Sequence, residues 1–165
     1  MQEFYYKSLE DGTYCITGYS GDEADVVIPD TYGRAPVTII GDGVFRGHSE
    51  ILSVRIPDTV TDMGEFIFDG CTAMRHIDLP VSLSCFWGYT FVRSGIEEIV
   101  LPEKLLTVPP FCFKDCKNLR KVVCNKSLKK VYSWAFAGCD NLKEFICEPL
   151  TQVSDKAFEA KELNT

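Results

Sequence analysis

The sequence IPDTVTDMGEFIFDGCTAMRHIDLP, residues 56–80, decides the fold because its pattern of apolar residues returns at regular intervals along the chain. Its central Phe68 belongs to a series of phenylalanines that are separated by 22 or 23 residues. The series consists of Phe45, Phe68, Phe91, Phe113, Phe136 and Phe158. Self-similarity with a period of about 20–50 residues is typical of repeat architectures, in which each unit stacks on its neighbours. The sequence therefore predicts a solenoid.

Other apolar columns keep the same period as the phenylalanines. Segments such as MRHIDLP and IEEIVLP carry a pattern of the form L-x-x-I-x-L, and its final alternation suits a short strand with one buried face. Proline follows in four repeats, and it ends a strand because it has no N–H to donate. No segment has a long run of period 3.6, so long helices are not expected. Each repeat is too small to bury its apolar face alone, so neighbouring repeats must stack.

Together the columns give the pattern I-P-x-x-V-x-x-I-x-x-x-x-F-x-G-C-x-x-L-x-x-I, which resembles the BspA-type (treponemal-type) leucine-rich repeat family. The best copies are residues 56–80 and SLKKVYSWAFAGCDNLKEF at residues 127–145. The resemblance covers about residues 27–158 and implies a β-rich leucine-rich-repeat solenoid, a right-handed superhelix of short parallel strands. Two repeats depart from the pattern. One has Arg93-Ser94 in place of Gly-Cys, and another has His48 in place of Cys and five extra residues at 32–36.

The two ends of the chain do not follow the repeat. Residues 1–26 contain the alternating segments FYYK and TYCITGY, separated by the turn sequence LEDG, and they predict a β-hairpin that caps the first repeat. Residues 27–158 form about five and a half repeats, and residues 159–165 form a short C-terminal tail. Three interpretations of the tail stay open: it caps the last repeat, the natural chain ends there, or the sequence is truncated.

Composition and charge exclude several classes of function. The hydrophobic content of 45% and the charged content of 25% are ordinary for a globular domain. A net charge of −7 argues against nucleic-acid binding, for which a basic face is expected. No apolar run approaches the roughly 20 residues of a membrane span. The N-terminus lacks the features of a signal peptide. We therefore expect a cytoplasmic protein if Met1 is the native start, whereas family resemblance implies a secreted or surface protein if a signal peptide has been removed.

The eight cysteines follow the repeat and are predicted to be structural thiols. Cys71, Cys116 and Cys139 share one column, and Cys124 and Cys147 share another that elsewhere holds Ile or Leu. Free cysteine is a small and frequently buried residue. In-register residues on parallel strands lie about 4.8 Å apart, whereas the Cβ atoms of a disulfide lie about 3.8 Å apart. Structural thiols are therefore favoured over a disulfide framework.

The sequence carries no recognisable catalytic or metal-binding constellation. His48 and His76 stand in different columns, and neither has a second ligand nearby in the repeat. There is no C-x-x-C motif, and no nucleophile is paired with a base and an orienting group. We therefore expect no enzymatic activity, no cofactor and no metal.

One outward column of the strands becomes apolar in its second half. Val100, Val123 and Ile146 occupy consecutive repeats at positions that should face solvent, beside Arg120 and Lys121. Contiguous exposed apolar area marks interaction sites, so these residues are a candidate contact patch. The alternative is that the C-terminal tail or a neighbouring molecule covers them.

A second candidate surface is aromatic. Phe66, Tyr89, Phe111 and Trp134 stand two residues before successive core phenylalanines, and Trp87 and Tyr132 stand two places earlier in their own repeats. Such a ladder could hold sugars or peptides by stacking. We favour the alternative that the rings pack on one another along the edge of the solenoid, because one ring per repeat already allows ring-to-ring stacking.

These observations predict a non-catalytic protein-binding module. Resemblance to the BspA-type family implies surface-associated or secreted roles, including adhesion to extracellular proteins of a host. The alternative is a structural or self-associating unit, in which the open last repeat or the Val100–Val123–Ile146 column pairs with another copy. The sequence does not identify a ligand.

Overall fold

The computed structural model of the protein describes residues 1–159, and that part contains short β-strands and no helix. The strands are β1 (Glu3–Ser8), β2 (Tyr14–Ser20), β3 (Asp25–Val27), β4 (Thr31–Tyr32), β5 (Ala35–Ile40), β6 (Ser53–Arg55), β7 (Asp62–Met63), β8 (Cys85–Phe86), β9 (Glu98–Val100), β10 (Thr107–Val108), β11 (Lys121–Val123), β12 (Lys130–Val131), β13 (Glu144–Ile146) and β14 (Gln152–Val153). Except for β1 and β4, which pair antiparallel with their partners, the strand pairs are parallel. The predicted solenoid of short parallel strands is confirmed.

Most turns of the solenoid contribute strands to two walls. Wall A consists of the pair β3-β6 and the sheet β9-β11-β13, and wall B consists of β5-β7-β8 and the sheet β10-β12-β14. The sequence pattern predicted only the wall A strand of each repeat. The wall B strands were missed because most have two residues, which is too short for a period-2 alternation to be visible. One side chain of each strand points inward, such as Val122 on wall A and Val131 on wall B, and both are buried.

The predicted N-terminal hairpin is also confirmed. β1 and β2 pair antiparallel from Glu3↔Ser20 to Ser8↔Tyr14, and β2 then pairs in parallel with β5 at the start of wall B. The ring of Tyr19 packs against Phe45 at 5.2 Å between centroids, so the hairpin covers the first core phenylalanine. The exact domain boundaries at residues 26 and 158 stay predictions.

The five extra residues of the first repeat form a second, smaller hairpin. β4 pairs antiparallel with β5, with Thr31 opposite Pro36 and Tyr32 opposite Ala35. The Tyr32 ring stacks on Tyr6 of β1 with 4.1 Å between centroids. The insertion therefore lies at the turn before wall B. It leaves unchanged the bend of the chain around Phe45, and we call the bend around each core phenylalanine a corner.

The phenylalanine column forms a continuous stack through the core. The rings of Phe68, Phe91, Phe113 and Phe136 follow one another at centroid distances of 5.0–5.2 Å, with interplanar angles of 20° or less. Phe45 extends the stack at one end and Phe158 at the other, each at 5.7 Å. All are buried except Phe158, which is exposed. Offset stacking at this distance adds to the stabilisation from burial of the rings.

The corners around the first five core phenylalanines each bend through two residues in the left-handed backbone region. One lies two residues before the core phenylalanine and the other two residues after it. The first set is Gly43, Phe66, Tyr89, Phe111 and Trp134, and the second is Gly47, Gly70, Arg93, Asp115 and Gly138, all with φ between 55° and 80°. A side chain makes this conformation unfavourable by about 1–2 kcal/mol per residue. Glycine in the second set is therefore expected, whereas aromatic residues in the first set need a compensating interaction.

The cysteines of the turn column bind the main chain of the preceding repeat. The Sγ–H groups of Cys71, Cys116 and Cys139 donate to the carbonyl oxygens of the core phenylalanines one turn earlier. The S···O distances are 3.2 Å for Cys71 to Phe45, 3.0 Å for Cys116 to Phe91 and 3.0 Å for Cys139 to Phe113. All eight cysteines are free thiols in the structure. The sequence placed these thiols together in the turn column but gave no sign that they act as hydrogen-bond donors.

Substitution of the central phenylalanine should be more costly than substitution at the end of the stack. Phe113→Ala removes a fully buried ring that contacts a ring on each side, and we expect a loss of about 3–5 kcal/mol in the free energy of unfolding. Phe158→Ala removes an exposed ring, and we expect a loss below about 2 kcal/mol. Urea unfolding followed by circular dichroism measures both. Equal losses would show that the stack does not determine stability.

Stability should also decrease at high pH because of the buried thiols. Burial raises the pKa of Cys71 to about 12 and raises that of Cys112 well above its ordinary value. The folded chain therefore holds these protons more tightly than the unfolded chain. The resulting stabilisation is fully present below the unfolded thiol pKa of about 8.5 and is lost as pH rises toward the folded value.

The variant Cys71→Ser isolates one of these thiols, because its hydroxyl keeps a donor near the Phe45 carbonyl and does not titrate. Between about pH 8 and about pH 10, the unmodified protein should lose about 2 kcal/mol more stability than the variant. Urea unfolding under reducing conditions at both pH values measures the difference. The same pH slope in both proteins would exclude Cys71 as the cause.

Candidate interaction surfaces

The predicted apolar column is assembled on wall A. Val123 lies in register with Val100 on one side and Ile146 on the other, because β9, β11 and β13 pair in parallel. Val100 is 65% exposed, Ile146 is 50% exposed and Val123 is half-buried between them. The middle residue of each strand points into the core, so the flanking residues must point outward. Three aliphatic side chains thus form a contiguous outward patch, which we call the wall A patch.

The basic residues beside this patch have acidic partners. Arg120 Nη2 lies 2.6 Å from Glu97 Oε2, and Lys121 Nζ lies 3.7 Å from Glu144 Oε2. The carboxylate of Glu97 also lies 3.6 Å from Arg75 Nε. Ion pairs at the surface contribute little to stability. The wall A patch is therefore flanked by ion pairs, which contain charges of both signs, and not by unpaired basic residues.

The same outward column contains another exposed aliphatic residue outside the patch. Val27 of β3 is 54% exposed and lies opposite Arg55 of β6. The pair β3-β6 is separate from the sheet β9-β11-β13, and residues 74–80 between them form no strand. Val27 is thus an exposed valine of wall A outside the patch.

The aromatic ladder is a stack of rings that face each other. Phe66, Tyr89, Phe111 and Trp134 follow one another at centroid distances of 4.9, 5.0 and 5.5 Å, with interplanar angles of 8–13°. Arg46 Cζ lies 5.0 Å from the centroid of Phe66, a cation–π contact at one end. These four residues are the ones held in the left-handed region, and ring stacking supplies the compensating interaction. This is the arrangement that the packing interpretation predicts, and the faces between the rings are not accessible to a ligand.

Trp87 and Tyr132 occupy a different surface from the ladder. Phe86 of β8 and Val131 of β12 are buried, so the residues that follow them project outward from wall B. Trp87 is 58% exposed and Tyr132 is 37% exposed. The Nζ atom of Lys130 lies 4.4 Å from the centroid of the Tyr132 ring. The sequence associated these two aromatics with the ladder, whereas the structure places them two repeats apart on an exposed wall.

A buried carboxylate is held by two arginines from neighbouring corners. Asp69 is only 1% exposed. Its Oδ1 accepts from Arg93 Nε at 2.9 Å and from Arg93 Nη2 at 2.7 Å, and its Oδ2 lies 3.0 Å from Arg46 Nε. A buried charge is tolerated when it is paired and hydrogen-bonded in this way. Sequence reasoning missed the cluster, although Arg93 in a glycine column was a visible irregularity.

Both histidines also have nearby carboxylate partners. His48 Nδ1 lies 2.6 Å from Glu50 Oε1, and this hydrogen bond lowers the pKa of Glu50. His76 Nε2 lies 2.9 Å from Asp78. Within residues 1–159, no group of three or more His, Cys, Asp or Glu residues could hold a metal ion, and no buried side-chain N or O atom lacks a hydrogen-bond partner.

The described part of the chain also contains no helix that is long and apolar enough to cross a membrane.

Comparison with known proteins agrees with the geometry. The family model for the BspA type leucine rich repeat region matches residues 38–164 in six copies. A leucine-rich repeat protein of T. pallidum is 26% identical with a TM-score of 0.72, and the match covers 86% of this chain and 78% of that protein. A leucine-rich repeat protein of Bacteroides ovatus is 25% identical with a TM-score of 0.69, covering 95% of this chain and 49% of that protein.

A leucine rich cell surface protein of Faecalibacterium prausnitzii shares the fold at 22% identity and a TM-score of 0.61, covering 87% of this chain and 53% of that protein. The chain thus spans about half the length of the last two proteins. No curated protein matches the sequence. Six matched repeats over most of the chain, on a solenoid with the expected columns, lead to one conclusion: the chain belongs to the BspA-type leucine-rich repeat family.

Proposed function

We propose that this chain is a non-catalytic protein-binding module and that it binds through the wall A patch. The observation that carries the proposal is the register of Val100, Val123 and Ile146, which places three aliphatic side chains side by side on an outward face. Exposure of aliphatic groups to water is unfavourable, by about 25 cal/mol for each Å² of apolar area. Burial of the same groups against a partner recovers that free energy, so such patches are typical of interaction sites.

The partner that best fits this patch is a protein with its own apolar surface and a polar rim. Arg120 and Lys121 are already paired with glutamates, so they add little long-range attraction for a partner. Their charges instead help to determine the orientation in which the partner binds. By resemblance to the BspA-type family, an extracellular protein of a host is the proposed class of partner, and adhesion is the proposed role.

Introduction of a charge at the centre of the patch should abolish binding. With Val123→Asp, a carboxylate must be desolvated against the partner, and we expect at least a tenfold loss of affinity for any extracellular-matrix protein that the chain binds. Surface plasmon resonance over a panel of purified matrix proteins measures the effect.

The matched control is Val27→Asp, which introduces the same charge at an exposed valine of wall A outside the patch. It should leave the affinity unchanged. Urea unfolding of both variants separates a loss of contact from a loss of folding. An interaction that survives Val123→Asp, or that Val27→Asp weakens equally, would contradict the assignment of the patch.

Self-association is a second candidate function, favoured by the last repeat. Leu150 occupies a core column but is 95% exposed, and Phe158 at the end of the phenylalanine stack is also exposed. Within the described residues, β13 and β14 each pair with a strand on one side only. An open edge can pair with another chain. Light scattering over a concentration series tests this, and a monomer at high concentration would exclude it.

A further inference from the structure

Wall B carries two exposed aromatic side chains on alternate repeats. Trp87 follows β8 and Tyr132 follows β12, while Pro109 occupies the same column in the repeat between them. The main-chain N–H of Trp87 donates to Met63 O at 3.1 Å, and that of Tyr132 donates to Val108 O at 3.0 Å. These bonds tie each aromatic to the repeat before it. β8 and β10 belong to separate sheets, and the ring stack of Tyr89, Phe111 and Trp134 at the adjoining corners connects the same repeats.

The separation of the two aromatic side chains corresponds to one turn of a polyproline II helix. Parallel neighbours lie about 4.8 Å apart, so side chains two repeats apart are separated by about 9.6 Å. The ring stacks that cross the same repeats have spacings of 5.0 and 5.5 Å, in agreement with this value. A polyproline II helix has three residues per turn and rises about 3.1 Å per residue, which is about 9.3 Å per turn. Residues i and i+3 of such a peptide would therefore lie over Trp87 and Tyr132.

The polar atoms of the surface suit this ligand as well. Trp87 makes no side-chain hydrogen bond within the described residues, so its indole N–H can donate to a peptide carbonyl. In polyproline II the backbone carbonyls have no internal partner and are available to accept. Aromatic-lined surfaces of this kind bind P-x-x-P segments because the ligand loses little conformational entropy.

The positive charge beside the two aromatic side chains favours a ligand that carries negative charge. Of the eight Lys or Arg residues between positions 104 and 130, four lie outside wall B and are paired with acidic residues: Lys114, Lys117, Arg120 and Lys121. Within the described residues, the amines of Lys129 and Lys130 have no acidic partner within 4 Å. Lys129 is exposed beside the column, and Lys130 lies over the Tyr132 ring. Acidic residues that flank the prolines would be attracted to these amines, and that attraction would weaken with added salt.

We propose that wall B binds an acidic, proline-rich peptide segment in the polyproline II conformation, with prolines i and i+3 packed on Trp87 and Tyr132. This surface lies on the opposite strand of each repeat from the wall A patch. Its binding is therefore independent of the partner proposed for that patch, and either assignment can fail without the other.

Fluorescence anisotropy with a labelled synthetic peptide tests the proposal. The probe is a peptide with one P-x-x-P segment flanked by glutamates, titrated with the full chain at low salt. We expect saturable binding that weakens at least tenfold with Trp87→Ala and with Tyr132→Ala. The charge-reversal variant Lys129→Glu should also weaken it, and the salt dependence should become smaller.

Three controls make the result decisive. A peptide in which the second proline of P-x-x-P is alanine should bind at least tenfold more weakly, and a lysine-flanked peptide should bind more weakly than the glutamate-flanked one. Tyr5→Ala removes an exposed aromatic of β1 and should have no effect. Urea unfolding confirms that each variant folds.

The proposal is overturned by absence of saturable binding at millimolar peptide, or by equal binding of the alanine peptide. Insensitivity to both aromatic substitutions overturns it as well. Displacement of the probe by a β-linked oligosaccharide, with no preference for the proline spacing, would assign the surface to glycans instead. The wall A variant Val123→Asp should bind the peptide normally, so this result and the test of the proposed function remain distinguishable.

Discussion

The stack of core phenylalanines is the constraint on which the remaining structure depends. Rings at 5.0–5.2 Å through the centre of the solenoid require every corner to close with the same geometry. Differences in repeat length fall outside the corners. The segment from Phe91 to Ile96 is one residue shorter than its counterpart from Phe68 to Met74, yet Arg93 keeps the left-handed conformation and Ile99 is buried in register with Val122. The five-residue insertion at 32–36 lies at the opposite turn, where β4 and β5 accommodate it as a hairpin.

Corner geometry also explains the second ring stack. The chain enters the left-handed region on both sides of the core phenylalanines from Phe45 to Phe136, and glycine supplies that freedom at Gly43 and Gly70. Where Phe66 or Trp134 occupies the first position, the backbone cost of about 1–2 kcal/mol is offset by stacking on the neighbouring ring. The aromatic column is thus part of the corner, and its regularity reflects folding rather than ligand binding.

The sequence predicted those features of the fold that follow from patterns of residues close together along the chain. The buried columns and the outward position of Val123 follow from the spacing of the repeats. The N-terminal hairpin follows from its alternating residues and the LEDG turn between them. The Asp69 cluster does not, because its partners Arg46 and Arg93 belong to the two adjacent repeats and each is an ordinary surface residue type. The thiol hydrogen bonds were equally invisible, since free cysteine such as Cys116 commonly behaves as a small apolar residue.

The separation of core and outward columns determines where function can lie. Each repeat contacts only its neighbours, so an outward side chain can change without altering the stack beneath it. Val123 and Tyr132 stand beside buried residues of the same repeat, yet they face away from them on different walls. The exposed apolar groups of this chain are therefore not required by packing. Their alignment, three in register on wall A and two on alternate repeats of wall B, is the physical reason for proposing that these walls bind partners.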